Sequence, residues 1–303
     1  MLPVGQIHSP QWSSTLRDLN YQLKQLGRDN RDGSFATQAK RAWLLSQIAN
    51  QLHELGFRGM QARSLKAKHV RALVAHWQNQ GLAIGTIKNR MSVLRWWARK
   101  VNRQSVIANS NDCYGIGRRQ LVATTSKAKD VSTDQLAKIT DPYVALSLEL
   151  QRAFGLRREE AIKFQPKFAD RGDHLHLKAS WTKGGKARVI PIRTDAQREL
   201  IDRIHARVGN ASLIPAERNY VQQLRIYTRQ VMNAGLSKLH GLRHAYAQQR
   251  YHELTGWHCP AAGGPPARTL NETQRAIDRN ARLTISRELG HEREQITTVY
   301  CGK

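Results

Sequence analysis

Apolar residues in the first hundred positions recur every three or four residues, the spacing typical of amphipathic helices. The first predicted helix has a stripe of leucines at Leu16, Leu19, Leu23 and Leu26. Ser34 can cap a second helix, and Gly56 can end it. The apolar positions of this second helix are Trp43, Leu44, Ile48, Leu52 and Leu55. The chain therefore begins with a predicted helical region.

Two more helices are predicted before residue 102. The third extends from about Ala67 to Gln80 on the apolar positions Val70, Leu73, Val74 and Trp77. The fourth opens near Thr86 on the apolar positions Ile87, Met91, Leu94, Trp97 and Val101. Its other side carries the basic residues Lys88, Arg90, Arg95, Arg99 and Lys100. Such a face is typical either of a solvated surface or of one that contacts a polyanion.

The helical periodicity disappears between about Asn102 and Lys129, where Asn, Ser, Gly and Thr are frequent. This composition is typical of a segment between domains. We therefore predict a helical domain over residues 1–124, a linker over 125–131 and a second domain over 132–303. Helical patterns resume at Ser132–Thr140 and Pro142–Phe154.

The sequence of the second domain also predicts a β-hairpin. The segments His174–Ser180 (HLHLKAS) and Ala187–Arg193 (ARVIPIR) flank Gly184-Gly185, which is the signature of a hairpin. Helices are predicted for the rest, except over Gly256–Pro266, which is too rich in Gly and Pro to be regular. The predicted fold class is mainly α-helical with a small β-sheet, so that the second domain is α+β.

The composition adds a strong positive charge to this picture. The 303 residues include 49 Lys and Arg against 23 Asp and Glu, a net charge of +26. Such an imbalance favours a polyanionic partner, which can be nucleic acid, an anionic membrane or an acidic protein. Residues 1–124 carry +14 and the remainder +12, so we expect both halves to face the same polyanion. With this charge, the basic side of the fourth helix is predicted to bind DNA through Lys88, Arg90, Arg95, Arg99 and Lys100.

Targeting and redox signals favour a cytoplasmic protein. The sequence has no run of 18 apolar residues, so no membrane span is expected. Residues 1–10 lack the pattern of a secretory signal. The three cysteines Cys113, Cys259 and Cys301 are odd in number and far apart, which argues against a disulfide framework.

Four segments carry candidate chemistry, and each is ambiguous by itself. They are AFGLRREEAIKF around Arg157, WTKGGKARVIPI around Lys183, HGLRHAYAQ with His240 and Arg243, and LGHEREQITTVY with His291 and Tyr300. Taken alone, the arginine is typical of a surface or salt-bridging residue, and the hairpin lysine of a solvated one. The His-x-x-Arg pair is typical of a solvated or capping pair, and the tyrosine of a packing residue. In this order they resemble the catalytic domain of the tyrosine recombinases, the phage-integrase family, whose pattern is Arg…Lys…His-x-x-Arg…His/Trp…Tyr.

The resemblance covers about Ser132 to Tyr300. The residues around each motif are most similar to those of integrases from genomic islands and integrative conjugative elements. The helical N-terminal half resembles the family's core-binding (SAM-like) domain by pattern. The family implies a site-specific recombinase that cleaves and rejoins DNA through a 3′-phosphotyrosine to integrate or excise a mobile element. It also implies a homo-oligomer on duplex DNA, a tetramer in the synaptic complex, with accessory DNA-bending proteins as further partners.

The resemblance makes Tyr300 the nucleophile and assigns roles to the residues around it. Arg157 and Arg243 suit the scissile phosphate, because an arginine fork bonds two phosphate oxygens and stays charged. His240 lies one turn before Arg243 and is the predicted proton acceptor for Tyr300. His291 is the predicted hydrogen-bond donor to a non-bridging oxygen.

Supporting roles are less definite. Lys183 is the predicted general acid for the 5′ oxygen, with Lys186 as the alternative, because a Gly-Gly tip can present either lysine. Glu160 either orients Arg157 or His240 or is a surface carboxylate. Nine residues at about 100° each would place His291 and Tyr300 on opposite faces of one helix. We therefore expect Tyr300 to lie on a separate helix.

We expect no metal and no cofactor. Asp170 and Asp173 flank a predicted turn, where Asp is common, and no convincing carboxylate cluster is visible. His291 follows His240 by 51 positions, which exceeds the family's usual spacing and predicts an insertion at about 255–282. His258 and Cys259 within this insertion, with His252 just before it, are possible zinc ligands, but the sequence has no second Cys pair and an ordered surface loop is favoured. Trp257 either anchors a contact between subunits or packs on its own domain.

Two rival functions use the same sequence features. A type IB topoisomerase would relax supercoils with the same side chains, without exchange between partner sites. A catalytically idle DNA-binding protein is the other alternative. The six filled family positions argue against an idle protein.

Overall fold

The computed structural model describes residues 14–291 and 293–303. The chain forms two compact units, Met1–Arg119 and Gln120–Lys303. The prediction that residues 1–10 carry no secretory signal lies outside the described residues. Among the described helices, none combines the length and the apolar character needed to span a bilayer.

The first unit is helical, as predicted. Its helices are α1 (Ser14–Asp29), α2 (Phe35–Glu54), α3 (Ala67–Asn79) and α4 (Ile84–Lys100). The Ser34 side chain caps α2 by accepting the N–H of Thr37 at 3.3 Å. Trp77 and Trp97 are fully buried in the core of this unit, where their indole N–H groups donate to the Gln51 side chain and the Ala62 carbonyl, both at 2.9 Å. The unit therefore has its own apolar core.

One predicted core position of α2 is wrong. Trp43 is 57% exposed, whereas Leu44, Ile48 and Leu52 are buried. At about 100° per residue, Trp43 lies roughly opposite the centre of the stripe formed by these three residues. The neighbouring Leu44 takes the inward position.

The second unit is mostly helical and contains a two-stranded antiparallel sheet. Its elements are α5 (Thr133–Ala137), α6 (Pro142–Phe154), α7 (Arg158–Ile162), α8 (Pro166–Ala169), β1 (His174–Leu177), β2 (Arg188–Pro191), α9 (Asp195–Val208), α10 (Tyr220–Asn233), α11 (His240–Thr255), α12 (Glu272–Glu288) and α13 (Thr298–Cys301). The fold class is therefore the predicted one, with helices in the first unit and an α+β second unit.

The predicted hairpin is confirmed, but its strands are shorter than expected. In the sheet, His174 lies opposite Pro191 and Leu177 lies opposite Arg188. After β1 the chain forms a 3₁₀ turn at Ala179–Trp181, which buries Trp181 and ends the pairing. On β2, Arg188 and Ile190 point inward and Val189 points outward.

The segment over 255–282 is ordered and belongs to the second unit. It contains short 3₁₀ turns at Pro260–Ala262 and Ala267–Thr269 and then the first part of α12. Trp257 is half-buried and packs against the core of its own unit, together with Leu254. The packing therefore matches the alternative in which Trp257 is a structural residue. The role of an insertion in subunit contacts stays a prediction.

Candidate active site

The second unit brings five of the six predicted catalytic side chains together. They are Arg157, His240, Arg243, His291 and Tyr300. Arg157 ends the turn before α7, and His240 and Arg243 open α11. His291 follows α12, and Tyr300 lies on α13. Four separate parts of the chain thus supply one cluster.

Tyr300 and Arg243 form the centre of this cluster. Arg243 Nε donates to the Tyr300 hydroxyl at 3.3 Å, and both side chains are buried. The other nitrogens of Arg243 donate to backbone carbonyls, Nη1 to Gly155 at 2.6 Å and Nη2 to Leu289. Burial, with the nearby charges of other arginines, lowers the pKa of Arg243 to about 10. The guanidinium therefore stays charged at neutral pH and is held in one orientation.

Gly155 makes the carbonyl contact to Arg243 possible. It ends α6 with a φ of +60°, in the left-handed region that favours glycine. A Cβ atom there would lie 2.7 Å from the Tyr246 ring. A larger residue would therefore push the carbonyl away from Arg243.

Glu160 joins two arginines at the base of the cluster. Its Oε1 accepts from Arg157 Nη1 at 2.8 Å, and its two oxygens accept a bidentate pair from Arg188 at 2.9 and 2.6 Å. Burial would raise the pKa of Glu160, but the hydrogen bonds and charge of Arg188, with the charges of Arg243 and Arg157, lower it to about 2. Glu160 is therefore an ionised, fully buried carboxylate that orients Arg157. In the described part of the chain it makes no hydrogen bond to His240.

The two predicted catalytic histidines are neutral at neutral pH. His291 Nε2 lies 3.5 Å from Arg157 Nη2, and burial with the charges of Arg243, Arg157 and Arg188 lowers the pKa of His291 to about 4. Partial burial and the charges of Arg243 and Arg157 also lower the pKa of His240. The ring centres of His240 and His291 lie 6.1 and 6.3 Å from that of Tyr300.

Tyr300 lies on a separate helix from the segment before His291, as expected. α12 ends at Glu288, and Gly290 then turns the chain with a φ of +70°. A Cβ atom on Gly290 would lie 2.9 Å from Arg188 Cδ, so a bare backbone is needed here. The 3₁₀ turn Glu294–Thr297 leads into α13, which presents Tyr300 to Arg243.

The sixth predicted residue, Lys183, is not part of the cluster. Lys183 and Lys186 are exposed on the turn between β1 and β2, where Gly184 and Gly185 both have positive φ values, +89° and +67°. Among the described residues, no hydrogen bond or ion pair joins Lys183 to the cluster. Its role as general acid, and the choice between Lys183 and Lys186, stay predictions.

The sequence analysis missed two residues that belong to this cluster. Arg188 is buried on β2. The sequence could have indicated this, because Arg188 is two residues before the apolar Ile190 and therefore lies on the same face of the strand. His244 is also buried, with its ring centre 4.8 Å from that of Tyr300 and its Nδ1 without a partner. Its signal is the second histidine of HGLRHAYAQ, one turn after His240 on the same face. Burial lowers the pKa of His244 to about 4, and the nearby charges of Lys127 and Arg243 act in the same direction.

The five basic residues of α4 do not form one face, which corrects the expectation from the sequence. Arg95 donates to the Ala108 carbonyl and the Asn111 side chain, Arg90 stacks over Trp77, and Lys100 pairs with Asp32 at 3.4 Å. At about 100° per residue, Lys88, Arg95 and Arg99 share one side, whereas Arg90 and Lys100 point elsewhere. Lys88 is half-buried, and Arg99 is exposed.

A basic groove of the first unit lies between α2 and α4. Arg99 lines it together with Lys40, Arg41, Asn89, Ser92 and Trp96. The Arg41 guanidinium stacks over the Trp96 ring at 4.2 Å, and the Trp96 indole donates to Asp32 at 2.7 Å. The groove combines cations with polar groups and an aromatic ring.

The residues weighed as metal ligands have other contacts. Asp170 pairs with Arg198 at 2.6 Å and with His205 at 3.0 Å, and Asp173 contacts His174. The rings of His252 and His258 stack 4.6 Å apart, while Cys259 is buried. Within residues 14–291 and 293–303, no group of three or more such side chains has the arrangement of a metal site.

Comparison with known proteins gives this cluster a context. A family model described as "Phage integrase, N-terminal" matches residues 16–107, and one described as "Integrase" matches residues 115–249. Together they cover most of the chain. A comparison with curated proteins found no match.

Solved structures share the fold. A lambda integrase dimer bound to a COC′ core site has a TM-score of 0.59 at 15% identity, with 98% of this chain and 81% of that chain covered. XerH recombinase bound to difH in a pre-cleavage complex has a TM-score of 0.54 at 15% identity, covering 93% and 80%. The Tn1549 transposon integrase with circular intermediate DNA has a TM-score of 0.51 at 14% identity, covering 93% and 96%.

The fold and the matched models define the class of this protein as that of the DNA integrases. The chain belongs to the phage integrase family and is a site-specific recombinase of the tyrosine type.

Proposed function

We propose that this recombinase cleaves and rejoins duplex DNA through a 3′-phosphotyrosine on Tyr300, to integrate or excise a mobile element of the genomic-island or conjugative type. The observation that carries the proposal is the hydrogen bond from the buried Arg243 to the Tyr300 hydroxyl, beside Arg157 and His291. These groups offer a nucleophile and fixed cations around one point, which phosphodiester cleavage requires.

In the proposed step, the Tyr300 oxygen attacks the scissile phosphorus and the bond from phosphorus to the 5′ oxygen breaks. Arg157 and Arg243 bind the non-bridging oxygens, where negative charge builds up in the transition state. His291 donates a further hydrogen bond to one of these oxygens. Because Glu160 and backbone carbonyls already orient the arginines, little reorganisation is needed when the phosphate binds.

Two proton transfers complete the step. His240 accepts the Tyr300 proton, and its lowered pKa supports this role, because the ring is neutral and able to accept at neutral pH. Lys183 gives a proton to the departing 5′ oxygen, with Lys186 as the alternative donor. The exposed turn that carries both lysines can approach bound DNA. Rejoining reverses these transfers when a new 5′ hydroxyl attacks the phosphotyrosine.

The proposed partners are duplex DNA and further copies of this chain. Both units contribute to the positive charge, and the groove between α2 and α4 supports a DNA contact by the first unit. Recombination of two duplexes by this chemistry needs four active sites, so we propose a tetramer in the synaptic complex, with DNA-bending proteins as accessory factors. The site of action is the cytoplasm, on the nucleoid.

A plasmid that carries two copies of the junction DNA flanking the gene tests this function. Recombination between the two copies is expected with the wild-type chain and with Tyr21→Phe, a change at an exposed tyrosine. It is expected to be absent with Tyr300→Phe. Relaxation of a supercoiled plasmid without junction DNA, at the same rate as with it, would favour the topoisomerase alternative and contradict the proposal.

A further inference from the structure

Three parts of the second unit hold the segment that carries the nucleophile through its backbone carbonyls. The Thr298 carbonyl accepts from the Ala123 N–H at 3.0 Å, and the Gly302 carbonyl accepts from Arg282 Nη1 at 2.8 Å. Between them, the carbonyl of Tyr300 itself accepts from Gln248 Nε2 at 2.9 Å. These contacts act on the backbone of α13, so they set where the phenol lies without touching its hydroxyl.

Gln248 differs from the other two donors because its side-chain oxygen also has a hydrogen-bond partner. Its Oε1 accepts from Ser126 Oγ at 2.8 Å, and Ser126 Oγ accepts the N–H of Ala128 at 3.1 Å. The Gln248 side chain is buried, and neither of its hydrogen-bonding groups is left for solvent. A chain of hydrogen bonds therefore runs from residues 126–128 through Gln248 to the backbone of Tyr300.

The position of Gln248 on α11 makes this chain relevant to catalysis. The same helix carries Arg243, whose Nε lies 3.3 Å from the Tyr300 hydroxyl. Gln248 thus joins the helix that holds the phosphate-binding arginine to the helix that holds the nucleophile. A shift of α13 relative to α11 would change the approach of the attacking oxygen to a phosphate bound by Arg243.

We propose that Gln248 is a positioning residue for the nucleophile, linking the segment around Ser126 to the placement of Tyr300. This inference rests on the proposed function, in which Tyr300 attacks the scissile phosphate. A misplacement of about 1 Å can cost about 100-fold in rate, so loss of the Gln248 hydrogen bond is expected to slow cleavage on that scale.

The test compares two substitutions by single-turnover formation of the covalent adduct on a nicked duplex of junction DNA. Gln248→Met keeps the length but has no donor, so its rate is expected to be about 100-fold below wild type at every pH. Gln248→Glu presents a carboxylate to the Tyr300 carbonyl at high pH and a donating O–H once protonated. Because burial raises the pKa of a carboxyl group, its rate relative to wild type is expected to rise about ten-fold or more between about pH 8.5 and 5.5.

Gln249→Glu is the matched control, because it adds the same charge at the exposed neighbouring position. Its rate relative to wild type is expected to be independent of pH. A flat ratio for Gln248→Glu, or a wild-type rate for Gln248→Met, would overturn the positioning role. If Tyr300→Phe still forms the adduct, the proposed function fails instead.

A second pair of variants decides the matter if thermal unfolding shows that Gln248→Glu does not fold at high pH. Ser126→Ala removes the hydroxyl that holds the Gln248 oxygen, and Thr125→Ala removes an adjacent exposed hydroxyl. Only Ser126→Ala is expected to slow adduct formation, by about ten-fold, with an unchanged unfolding temperature. Equal rates for the two variants would overturn the proposal.

Discussion

The two units carry similar positive charge but place it differently. Residues 1–124 have a net charge of +14 and the remainder +12. In the first unit, Arg99 is exposed in a groove and Arg41 stacks on the face of Trp96. In the second unit, Arg243 and Arg188 are 1% and 7% exposed. Similar charge is therefore arranged in two ways, exposed beside an aromatic ring in one unit and buried among fixed partners in the other. In the proposed function, the first arrangement attracts a polyanion and the second forms a fixed catalytic environment.

The difference follows from what surrounds each cation. A buried guanidinium is costly unless its donors are paired, and the second unit provides Glu160 and the carbonyls of Gly155, Glu288 and Leu289 for this purpose. In the first unit, Arg99 is exposed to solvent, whereas Arg41 stacks on the Trp96 ring and pairs with the partly exposed Asp32. Cations held by fixed oxygens are preorganised for a transition state, whereas exposed cations mainly affect binding.

The largest expected effect concerns Arg243. Arg243→Lys keeps the charge but loses the fork that reaches Gly155, Leu289 and Tyr300, so cleavage at saturating DNA is expected to fall about 1000-fold. DNA affinity is expected to stay within a few-fold of wild type. Arg99→Lys, the matched change in the first unit, should leave the single-turnover rate unchanged. A comparable loss of rate in both variants would remove the distinction between the units.

The next effect concerns stability. Glu160→Gln leaves the buried arginines without their carboxylate, and loss of one partner of a buried pair costs roughly 3–5 kcal/mol. Denaturant unfolding should show this loss at neutral pH. Glu159→Gln is the control, since it breaks only the partly exposed pair with Lys163. Asp32→Asn, at the exposed ion pairs of the first unit, should shift the curve less than Glu160→Gln.

The pH dependence of this stability follows from the lowered pKa of Glu160. A carboxyl group with a lowered folded-state pKa stabilises the protein above its unfolded pKa, and this stabilisation is lost as the pH falls through the folded value. For Glu160 the window lies between its ordinary value of 4.5 and about 2. The stability difference between wild type and Glu160→Gln should therefore shrink across this window. A constant difference would show that Glu160 is not held as a carboxylate.

Lys183 tests whether an exposed cation of the second unit can act in the chemical step. Lys183→Ala is expected to slow cleavage about 100-fold, because the 5′ oxygen leaves without a proton. A substrate with sulfur at the 5′ position needs no general acid and should restore the rate. Rescue in Lys186→Ala and not in Lys183→Ala would transfer the role to Lys186.

The smallest expected effect concerns Arg99 in the first unit and the salt dependence of DNA binding. Arg99→Gln should weaken DNA binding and reduce the slope of log affinity against log salt by about 0.9, the value for one phosphate contact. Gln is uncharged and similar in length, so packing is retained. An unchanged slope, measured by titration at several salt concentrations, would show that the groove between α2 and α4 does not contact DNA.

The sequence predicted the elements and most of the cluster because these depend on local patterns. Periodicity located α1 to α4 and the hairpin, and motif order located Arg157, Arg243 and Tyr300. The sequence analysis missed Arg188 and Gln248 because their roles depend on contacts between distant parts of the chain. Arg188 contacts Glu160, and Gln248 contacts the Tyr300 carbonyl. The single basic face of α4 was wrong for a different reason. At about 100° per residue, Arg90 and Lys100 point away from the side that Lys88, Arg95 and Arg99 share.

The most direct test of the account is to locate the covalent bond to DNA. The wild-type chain is incubated with a nicked duplex of junction DNA, the adduct is digested, and mass spectrometry identifies the modified peptide and the attached DNA end. The account predicts a phosphotyrosine at Tyr300 joined to a 3′ end, with a free 5′ hydroxyl on the released strand. A DNA adduct on another residue, or attachment through a 5′ end, would contradict it.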